Sequence, residues 1–300
     1  MERLVTVVPG LISLSVNIAR LRDFLFLEDF SFFPATSAPL PFHYTIEKIS
    51  RAACPQEWEY RLGYHTCAHK RYTYYRPLLR TGLFLQYDEA QRHFSVNSMY
   101  LKIPFRIGGI RSVGEHIFAR IAFDLFQAGF MLFRGCAWLD AGGKVHTLVL
   151  PAMNGKTTLL RDLMASGRGN RYIAEDLVLL KPQASGYMIY PTAAFRRNYG
   201  RRVNAQLARL IIPDSCVSEP LAGEYITFAS TYTHLSPSVR QEAIDYGLMT
   251  SLFFLQDPEV QLGLFAEAKT KVFFDNVYAG FNALQPCIRS CSIEAVKDLI

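Results

Sequence analysis

The segment that most constrains the fold runs from residue 145 to residue 180, where two apolar stretches flank a short loop and a helix-like stretch. Residues 145–150 read Val-His-Thr-Leu-Val-Leu, which predicts a buried strand. Apolar residues at helical spacing over 159–164 predict a helix that ends at the glycines of 167–169. Residues 172–180 predict another buried strand. A strand, a loop, a helix and a strand in this order are typical of an α/β domain.

The loop between the first strand and the helix, residues 150–158, reads Leu-Pro-Ala-Met-Asn-Gly-Lys-Thr-Thr. A Walker A loop has the form GxxxxGK[ST]: its backbone N–H groups surround phosphates, the lysine offsets their charge, and the hydroxyl ligates magnesium. The second half of this pattern is intact, whereas Leu150 replaces the first glycine. Asparagine tolerates a left-handed backbone better than most residues and partly compensates. We therefore expect nucleotide binding by Asn154, Gly155, Lys156, Thr157 and Thr158.

An acidic pair follows the loop at a distance that suits the same site. Glu175 and Asp176 lie in the second apolar strand, and Asp176 is twenty positions after Lys156. Phosphoryl transfer needs a carboxylate for the metal or for the proton of the attacking hydroxyl, in addition to a phosphate cradle. The alternatives are a plain strand-to-helix turn with a solvated lysine and an ordinary acidic turn. The loop followed by the acidic pair, in this order, favours a phosphotransferase site.

With these motifs, residues 113–197 resemble the HPr kinase/phosphorylase-like kinases, whose phosphate-loop fold is related to phosphoenolpyruvate carboxykinase. The resemblance rests on Phe-Arg-Gly-Cys-Ala-Trp-Leu-Asp at 133–140, the loop and helix, Ala-Glu-Asp-Leu-Val-Leu-Leu at 174–180, and Tyr-Pro-Thr-Ala-Ala-Phe-Arg at 190–196. The chain departs from the family pattern at four positions. Leu150 and Met153 stand at glycine positions, Arg134 stands at the histidine, and Glu175 stands at the first aspartate.

The resemblance implies an ATP- and Mg²⁺-dependent kinase. Lys156 would contact the β- and γ-phosphates, Thr157 and Asp176 would hold the metal, and Asp176, supported by Glu175, would also serve as the base. Arg134 and either Arg196 or Arg197 would approach the phosphates. The acceptor would be a serine of a peptide or protein, or a small-molecule alcohol. Arginine cannot shuttle protons at neutral pH, which argues against a reverse, phosphorylase-type reaction. The alternative is a degenerate kinase-like module that binds a nucleotide or a partner without catalysis.

The first 112 residues are rich in aromatic and β-branched residues and are broken by Pro, Gly and Ser, which predicts strands. We expect strands at 4–18, 42–49, 71–75, 82–87 and 92–99. From Val113 apolar residues recur at helical spacing, and a helix up to Gly129 is predicted, followed by a strand at 130–139 and a turn at 140–144. The prediction is thus a β-rich accessory region, residues 1–112, before a P-loop catalytic domain of the α/β class with an HPr kinase-like or PEP carboxykinase-like core, residues 113–300.

Composition and charge bear on membrane insertion, cellular compartment and nucleic-acid binding. Half of the 300 residues are apolar and 19% are charged, which suits a soluble globular chain. The longest apolar region, residues 116–139, is interrupted by four polar or charged side chains, so we expect no membrane span. Six scattered cysteines and the absence of a secretory signal favour the cytoplasm. The net charge of +6 comes without a recognition motif, so specific nucleic-acid binding is not expected. The sequence leaves open whether the chain forms a homo-oligomer.

Three further groups of residues have a chemical and a structural interpretation. His65, Cys67 and His69 would share one face of a strand and could ligate a metal, although ordinary strand residues are favoured. Cys287 and Cys291 could share a helical face as packed or free thiols. The aromatic and basic run at 71–76 could grip a base or a peptide, but tyrosines at strand spacing usually face a core.

Overall fold

The computed structural model describes residues 2–17, 35–50, 56–78, 82–102, 110, 113–150, 156–192, 217–230 and 267–296. The chain divides into two compact units. The first comprises Met1–Asp124 and Gln256–Phe274, and the second comprises Leu125–Leu255 and Asp275–Ile300. Each contains one large mixed sheet, which confirms the mixed α/β class and shows that most elements are strands. In the described part of the chain, no helix is long and apolar enough to cross a membrane.

The sheet of the first unit has eight strands in the order β1-β2-β3-β8-β7-β6-β5-β4. They are β1 (Glu2–Val8), β2 (Ile12–Asn17), β3 (Phe42–Ile49), β4 (Tyr60–Leu62), β5 (His65–Ala68), β6 (Arg71–Arg76), β7 (Leu83–Asp88) and β8 (His93–Asn97). Strands β2, β3 and β8 run parallel, and β4 to β8 form an antiparallel meander. A short helix α1 (Ser98–Leu101) follows β8, capped by the Asn97 side chain.

The expectation of one strand over residues 4–18 is wrong, because this stretch is a hairpin. Gly10 adopts a positive φ of 70°, and the amide of Leu11 donates to the Val8 carbonyl at 3.0 Å, which closes a turn between β1 and β2. Pro9 and Gly10 are the residues that favour such a turn, since proline presets φ and glycine accepts positive values. The other predicted strands of this unit are present within one or two residues of their expected ends.

On strand β3 the two faces of this sheet differ in polarity, because successive side chains of a strand point to opposite faces. On β3, the side chains of Tyr44 and Ile46 are buried. The alternate residues lie among polar neighbours: His43 hydrogen-bonds Ser13 at 2.9 Å and Thr45 hydrogen-bonds His93 at 2.7 Å. The apolar face carries the core of this unit.

Helix α2 (Val113–Gln127) begins where the periodicity predicts, and its side chains are almost all buried. Its residues Arg120 and Asp124 are buried too and pair with each other at 3.2 Å. Asp124 also accepts hydrogen bonds from the hydroxyls of Tyr44, at 3.1 Å, and Tyr87, at 2.6 Å. A polar network within an apolar surface therefore joins α2 to strands β3 and β7.

The sheet of the second unit has seven strands in the order β13-β12-β11-β9-β10-β14-β15. They are β9 (Met131–Asp140), β10 (Val145–Val149), β11 (Gly169–Pro182), β12 (Tyr187–Tyr190), β13 (Leu221–Gly223), β14 (Ile226–Ser230) and β15 (Ile288–Ser292). Strands β10, β14 and β15 are mutually parallel, and β9 is antiparallel to both of its neighbours, β10 and β11. Helix α3 (Lys156–Ala165) lies between β10 and β11 in sequence.

Three elements complete the described C-terminal segment: helix α4 (Glu267–Leu284), a 3₁₀ turn at Gln285–Cys287, and helix α5 (Ile293–Val296) after β15. The large buried side chains of the second unit include Phe133, Tyr172, Tyr187 and Phe228. The strand, helix and strand order predicted from residues 145–180 is present, and helix α3 begins at Lys156, three residues earlier than its apolar pattern.

Candidate functional site

The candidate site lies at the end of β10, where helix α3 begins. Lys156 is the first residue of α3, and its ammonium group donates a hydrogen bond to the Leu150 carbonyl at 3.3 Å. The Leu150 amide in turn donates to the Arg134 carbonyl on β9 at 3.2 Å. Only 6% of Lys156 is exposed, so its charge is held inside the protein. The N-terminus of the ten-residue helix α3 adds partial positive charge at the same place.

The acidic pair lies in the middle of β11, at the same level of the sheet as the last residues of β10. Glu175 stands opposite Cys136 of β9, and Cys136 stands opposite Leu148 of β10. The next row aligns the backbones of Asp176, Gly135 and Val149. Because β9 is antiparallel to both neighbours, β11 runs parallel to β10, and both point toward the same edge of the sheet. Glu175 is 6% exposed, as buried as Lys156.

The pKa of the Cys136 thiol depends on its burial and on the charges of two other residues. Burial raises the pKa of Cys136 to about 12, the charge of Lys156 lowers this pKa, and the charge of Glu175 raises it. Directly opposed residues of an antiparallel pair project from the same face of a sheet, so Cys136 and Glu175 share a face. Both charges therefore act on one buried thiol, and the site combines a buried cation with a buried anion.

Gly135 allows the strands to come together at this level. A Cβ atom on Gly135 would lie 2.4 Å from the Leu148 carbonyl oxygen and 2.7 Å from Cγ2 of Val178. Both distances are shorter than any normal carbon contact, so a larger residue would displace backbone atoms of β10. The sequence pattern did not single out Gly135, although a lone glycine within an apolar strand often marks a close backbone approach.

Thr192 holds the part of β11 that carries the acidic pair. It is completely buried, its amide donates to the Ile173 carbonyl at 3.1 Å, and its hydroxyl donates to the Leu177 carbonyl. Ile173 and Leu177 lie on either side of Glu175 and Asp176 in sequence. Thr192 belongs to the Tyr-Pro-Thr segment that carried part of the family resemblance, but its clamping contact could not be read from the sequence.

The structure describes the predicted site residues to different extents. Arg134 is half-buried, Thr158 is exposed, and Lys156 and Glu175 are buried. Thr157 lies in α3 and Asp176 lies in β11. The remaining predicted residues lie outside the described residues, namely Asn154, Gly155, Arg196 and Arg197. Thus the lysine begins the helix that follows β10, and the first acid of the pair lies on β11 at the level of Leu148 of β10.

The predicted arrangement of His65, Cys67 and His69 on one strand face is wrong. Strand β5 ends at Ala68, and His69 lies in a turn with a positive φ of 49°, where its Nδ1 is 3.4 Å from the Glu59 carboxylate. The Nδ1 atom of His65 is hydrogen-bonded to the Tyr72 hydroxyl. Among the residues that the structure describes, no group of three or more His, Cys, Asp or Glu side chains is arranged to hold a metal ion.

The two other groups considered from the sequence are Cys287 with Cys291 and the aromatic and basic run at 71–76. Cys287 and Cys291 do not share a helical face, because Cys287 ends the 3₁₀ turn and Cys291 lies in β15. In β6, Tyr72 and Tyr74 are buried, and Arg71 pairs with Asp88 at 3.0 Å. The tyrosines at strand spacing therefore face a core, as such residues usually do.

Comparison with known proteins adds no relative to this picture. No protein-family model matches the chain, and no curated protein matches it in a sequence search. A buried ammonium at a helix N-terminus is suited to bind an anion such as a phosphate and to balance its charge.

Proposed function

We propose that this chain is an ATP- and Mg²⁺-dependent kinase with a P-loop core of the HPr kinase-like type, and that it transfers the γ-phosphate of ATP to a hydroxyl group. The acceptor is a serine of a peptide or protein, or a small-molecule alcohol. The observation that carries the proposal is the burial of Lys156 at the N-terminus of α3, where its ammonium group donates to the Leu150 carbonyl at the end of β10. A strand, a loop and a helix N-terminus with a lysine are the parts that a phosphate cradle requires.

In this proposal, phosphate binding and metal binding fall to different residues. Lys156 offsets the charge of the β- and γ-phosphates, and the backbone amides of Asn154 and Gly155 surround them. Thr157 and Asp176 would hold Mg²⁺, which would supply positive charge to neutralise the phosphates. Arg134 and Arg197 approach the phosphates as fixed positive charges.

The transfer step uses Asp176, the second residue of the acidic pair. The acceptor hydroxyl loses its proton to the carboxylate of Asp176, and its oxygen forms a bond to the γ-phosphorus. The bond from that phosphorus to the bridging oxygen of ADP breaks, and ADP leaves. A base must lie within reach of the acceptor proton, and Asp176 is aligned by its backbone with the last residue of β10, next to the loop.

One feature favours a second candidate, a kinase-like module that binds a nucleotide or a partner without transfer. Leu150 and Met153 carry side chains where a Walker A loop has glycines or close backbone contacts. The Leu150 carbonyl also accepts the hydrogen bond of Lys156. Side chains at these positions restrict how closely the phosphates can approach the loop. This restriction would weaken phosphate transfer more than nucleotide binding.

The test is radiolabel transfer from γ-labelled ATP with Mg²⁺, using serine peptides and small alcohols as acceptors, together with thermal unfolding in about millimolar ATP. Lys156→Met should abolish transfer and ATP turnover while leaving the circular dichroism spectrum unchanged. Lys144→Met, which replaces an exposed lysine in the β9–β10 turn, is the matched control and should behave as wild type. Unchanged ATP turnover in Lys156→Met would refute the kinase proposal, and ATP binding without transfer to any acceptor would favour the module.

A further inference from the structure

A hydroxyl, an imidazole and a carboxylate lie side by side in the eight-stranded sheet of the first unit. Thr45 and Glu47 belong to β3, and His93 belongs to the neighbouring strand β8, directly opposite Thr45. The Thr45 hydroxyl oxygen is 2.7 Å from Nδ1 of His93, a hydrogen-bonding distance. Nε2 of the same ring is 3.4 Å from the Glu47 carboxylate. The amide of Thr45 also donates to the Arg92 carbonyl at 3.1 Å, which fixes the two strands at this point.

These three side chains lie on the polar face of the sheet. Thr45 and Glu47 are two residues apart in β3, so they project from one face, opposite to the buried side chains of Tyr44 and Ile46. The side chain of His93 is 27% exposed and that of Glu47 is 52% exposed. Thr45 is half-buried. This part of the polar face is thus open to small molecules from solvent.

The carboxylate sets the direction of the hydrogen bond between Thr45 and His93. A neutral imidazole carries one proton, on either Nδ1 or Nε2, and its other nitrogen is an acceptor. The negative charge of Glu47 beside Nε2 favours the form that has its proton on that atom. Nδ1 then carries the lone pair, so the Thr45 hydroxyl donates to it. A hydroxyl that donates to an imidazole, which a carboxylate in turn orients, is the arrangement of an activated nucleophile.

A second hydroxyl–imidazole pair on the same face differs in its access to solvent. The hydroxyl oxygen of Ser13 is 2.9 Å from Nδ1 of His43. Ser13 is completely buried, and its oxygen also accepts a hydrogen bond from the Leu40 amide at 3.0 Å. That oxygen is therefore engaged with the backbone and closed to solvent. Access to solvent thus favours Thr45 over Ser13 as the reactive hydroxyl.

We infer that Thr45 is the nucleophile and His93 the general base of an acyl-transfer site for carboxylic esters, and that Glu47 is a positioning residue for His93. The Thr45 oxygen forms a bond to the carbonyl carbon of the ester while its proton moves to Nδ1 of His93. The bond from that carbon to the alcohol oxygen breaks, and the alcohol leaves with the proton from His93.

Water completes the reaction. Its oxygen attacks the carbonyl carbon of the acylated Thr45, and its proton moves to His93. The bond from that carbon to the Thr45 oxygen breaks, the carboxylic acid leaves, and the Thr45 oxygen regains its proton from His93. The inference does not depend on the proposed kinase activity, because all three residues belong to the first unit and Lys156 belongs to the second.

Hydrolysis of p-nitrophenyl acetate by the full chain tests the inference. Thr45→Val keeps the shape of the side chain and removes the hydroxyl, and His93→Gln removes the base. Each should lower kcat/KM by about 100-fold or more, since a positioned general base contributes at least this much. Glu47→Gln should lower kcat by a smaller factor and leave KM unchanged, because it loosens the orientation of the base without touching the ester.

Two matched controls separate the site from unspecific reactions of the surface. Ser95→Ala removes another half-buried hydroxyl of the same face, opposite Glu47 on β8. His69→Gln removes an exposed imidazole whose Nδ1 is 3.4 Å from the Glu59 carboxylate. Both variants should hydrolyse the ester at the wild-type rate. A wild-type rate in Thr45→Val or His93→Gln overturns the inference, and so does wild-type protein that acts no faster than free imidazole at the same concentration.

A fluorophosphonate probe identifies the nucleophile in the wild-type protein, so this test does not require any variant to fold. The Thr45 oxygen bonds to phosphorus, fluoride leaves, and the hydroxyl proton moves to His93. Peptide mass spectrometry should place the adduct on Thr45, and an adduct elsewhere or none at all overturns the inference. Thr45→Ser keeps the hydroxyl and should keep the label. Lys156→Met should be labelled like wild type, which separates this site from the proposed kinase site.

Discussion

Replacing Asp124 by asparagine should destabilise the first unit by about 3 kcal/mol, because it removes the charge at the centre of a buried network. Asp124 accepts hydrogen bonds from Tyr87 at 2.6 Å and from Tyr44 at 3.1 Å. It also pairs with Nη2 of Arg120 at 3.2 Å. The side chain of Arg120 is 5% exposed, so water cannot replace the lost carboxylate.

The magnitude follows from what asparagine keeps and loses. Its side chain has nearly the same volume and retains one acceptor oxygen, so packing and one hydrogen bond survive. Its amide group is a donor and faces the phenol and guanidinium donors that the carboxylate had accepted from. Breaking a buried ion pair from one side typically costs 3–5 kcal/mol, and the Glu89 carboxylate, 3.6 Å from the same guanidinium, offsets part of this loss. An expected loss of about 3 kcal/mol results.

Urea unfolding followed by circular dichroism measures the effect, and Asp88→Asn serves as the matched control. Asp88 pairs with Arg71 at 3.0 Å, but the Arg71 side chain is 60% exposed, so this surface pair should be worth about 0–1 kcal/mol. The two variants should differ clearly in how much their free energy of unfolding falls. If the fall in Asp124→Asn is within about 1 kcal/mol of the fall in Asp88→Asn, burial does not make the Asp124 network more stabilising than a surface ion pair.

Two further outcomes are expected in the second unit. Gly135→Ala should cost about 1–3 kcal/mol in urea unfolding, because its Cβ would stand 2.4 Å from the Leu148 carbonyl oxygen, and a loss no larger than that of Gly142→Ala would contradict the clash. Because the folded pKa of Cys136, about 12, lies above its ordinary value of 9.0, the thiol stabilises the fold fully below pH 9 and this contribution is lost as the pH rises toward 12. Unfolding midpoints of wild type and Cys136→Ala should therefore converge or cross above pH 9, and a constant difference would count against the raised pKa.

Local sequence patterns determined the elements that surround the candidate site. Helix α2 follows from the helical spacing of Ile117, Ile121 and Leu125, and β9, β10 and β11 follow from short apolar runs bounded by turn residues. These predictions succeed because periodicity and turn preference depend on neighbours within a few positions. The hairpin of β1 and β2 was missed although Pro9 and Gly10 signalled it, since apolar residues continue on both sides of the turn.

The partners of the candidate site were decided by tertiary structure. The sequence indicated that Lys156 begins a helix after a strand and that Glu175 and Asp176 lie on a later strand. It did not indicate that β9 is inserted between β10 and β11, so that Cys136 faces Glu175 and Gly135 lets the strands approach. Strand order is set by which apolar faces and backbone hydrogen bonds are satisfied together across the whole sheet, and this information is non-local.

The same distinction holds for the buried network on α2. Arg120 and Asp124 have the spacing of an ordinary surface ion pair on a helix, and their sequence context shows only that they interrupt an apolar stretch. Their burial depends on hydroxyls from β3 and β7, tens of residues away in the chain. The sequence by itself thus determined where the helices and strands form and which of them carry charge. Only the tertiary structure decided which charges are buried together, because a buried charge is tolerated only where distant parts of the chain bring its partners.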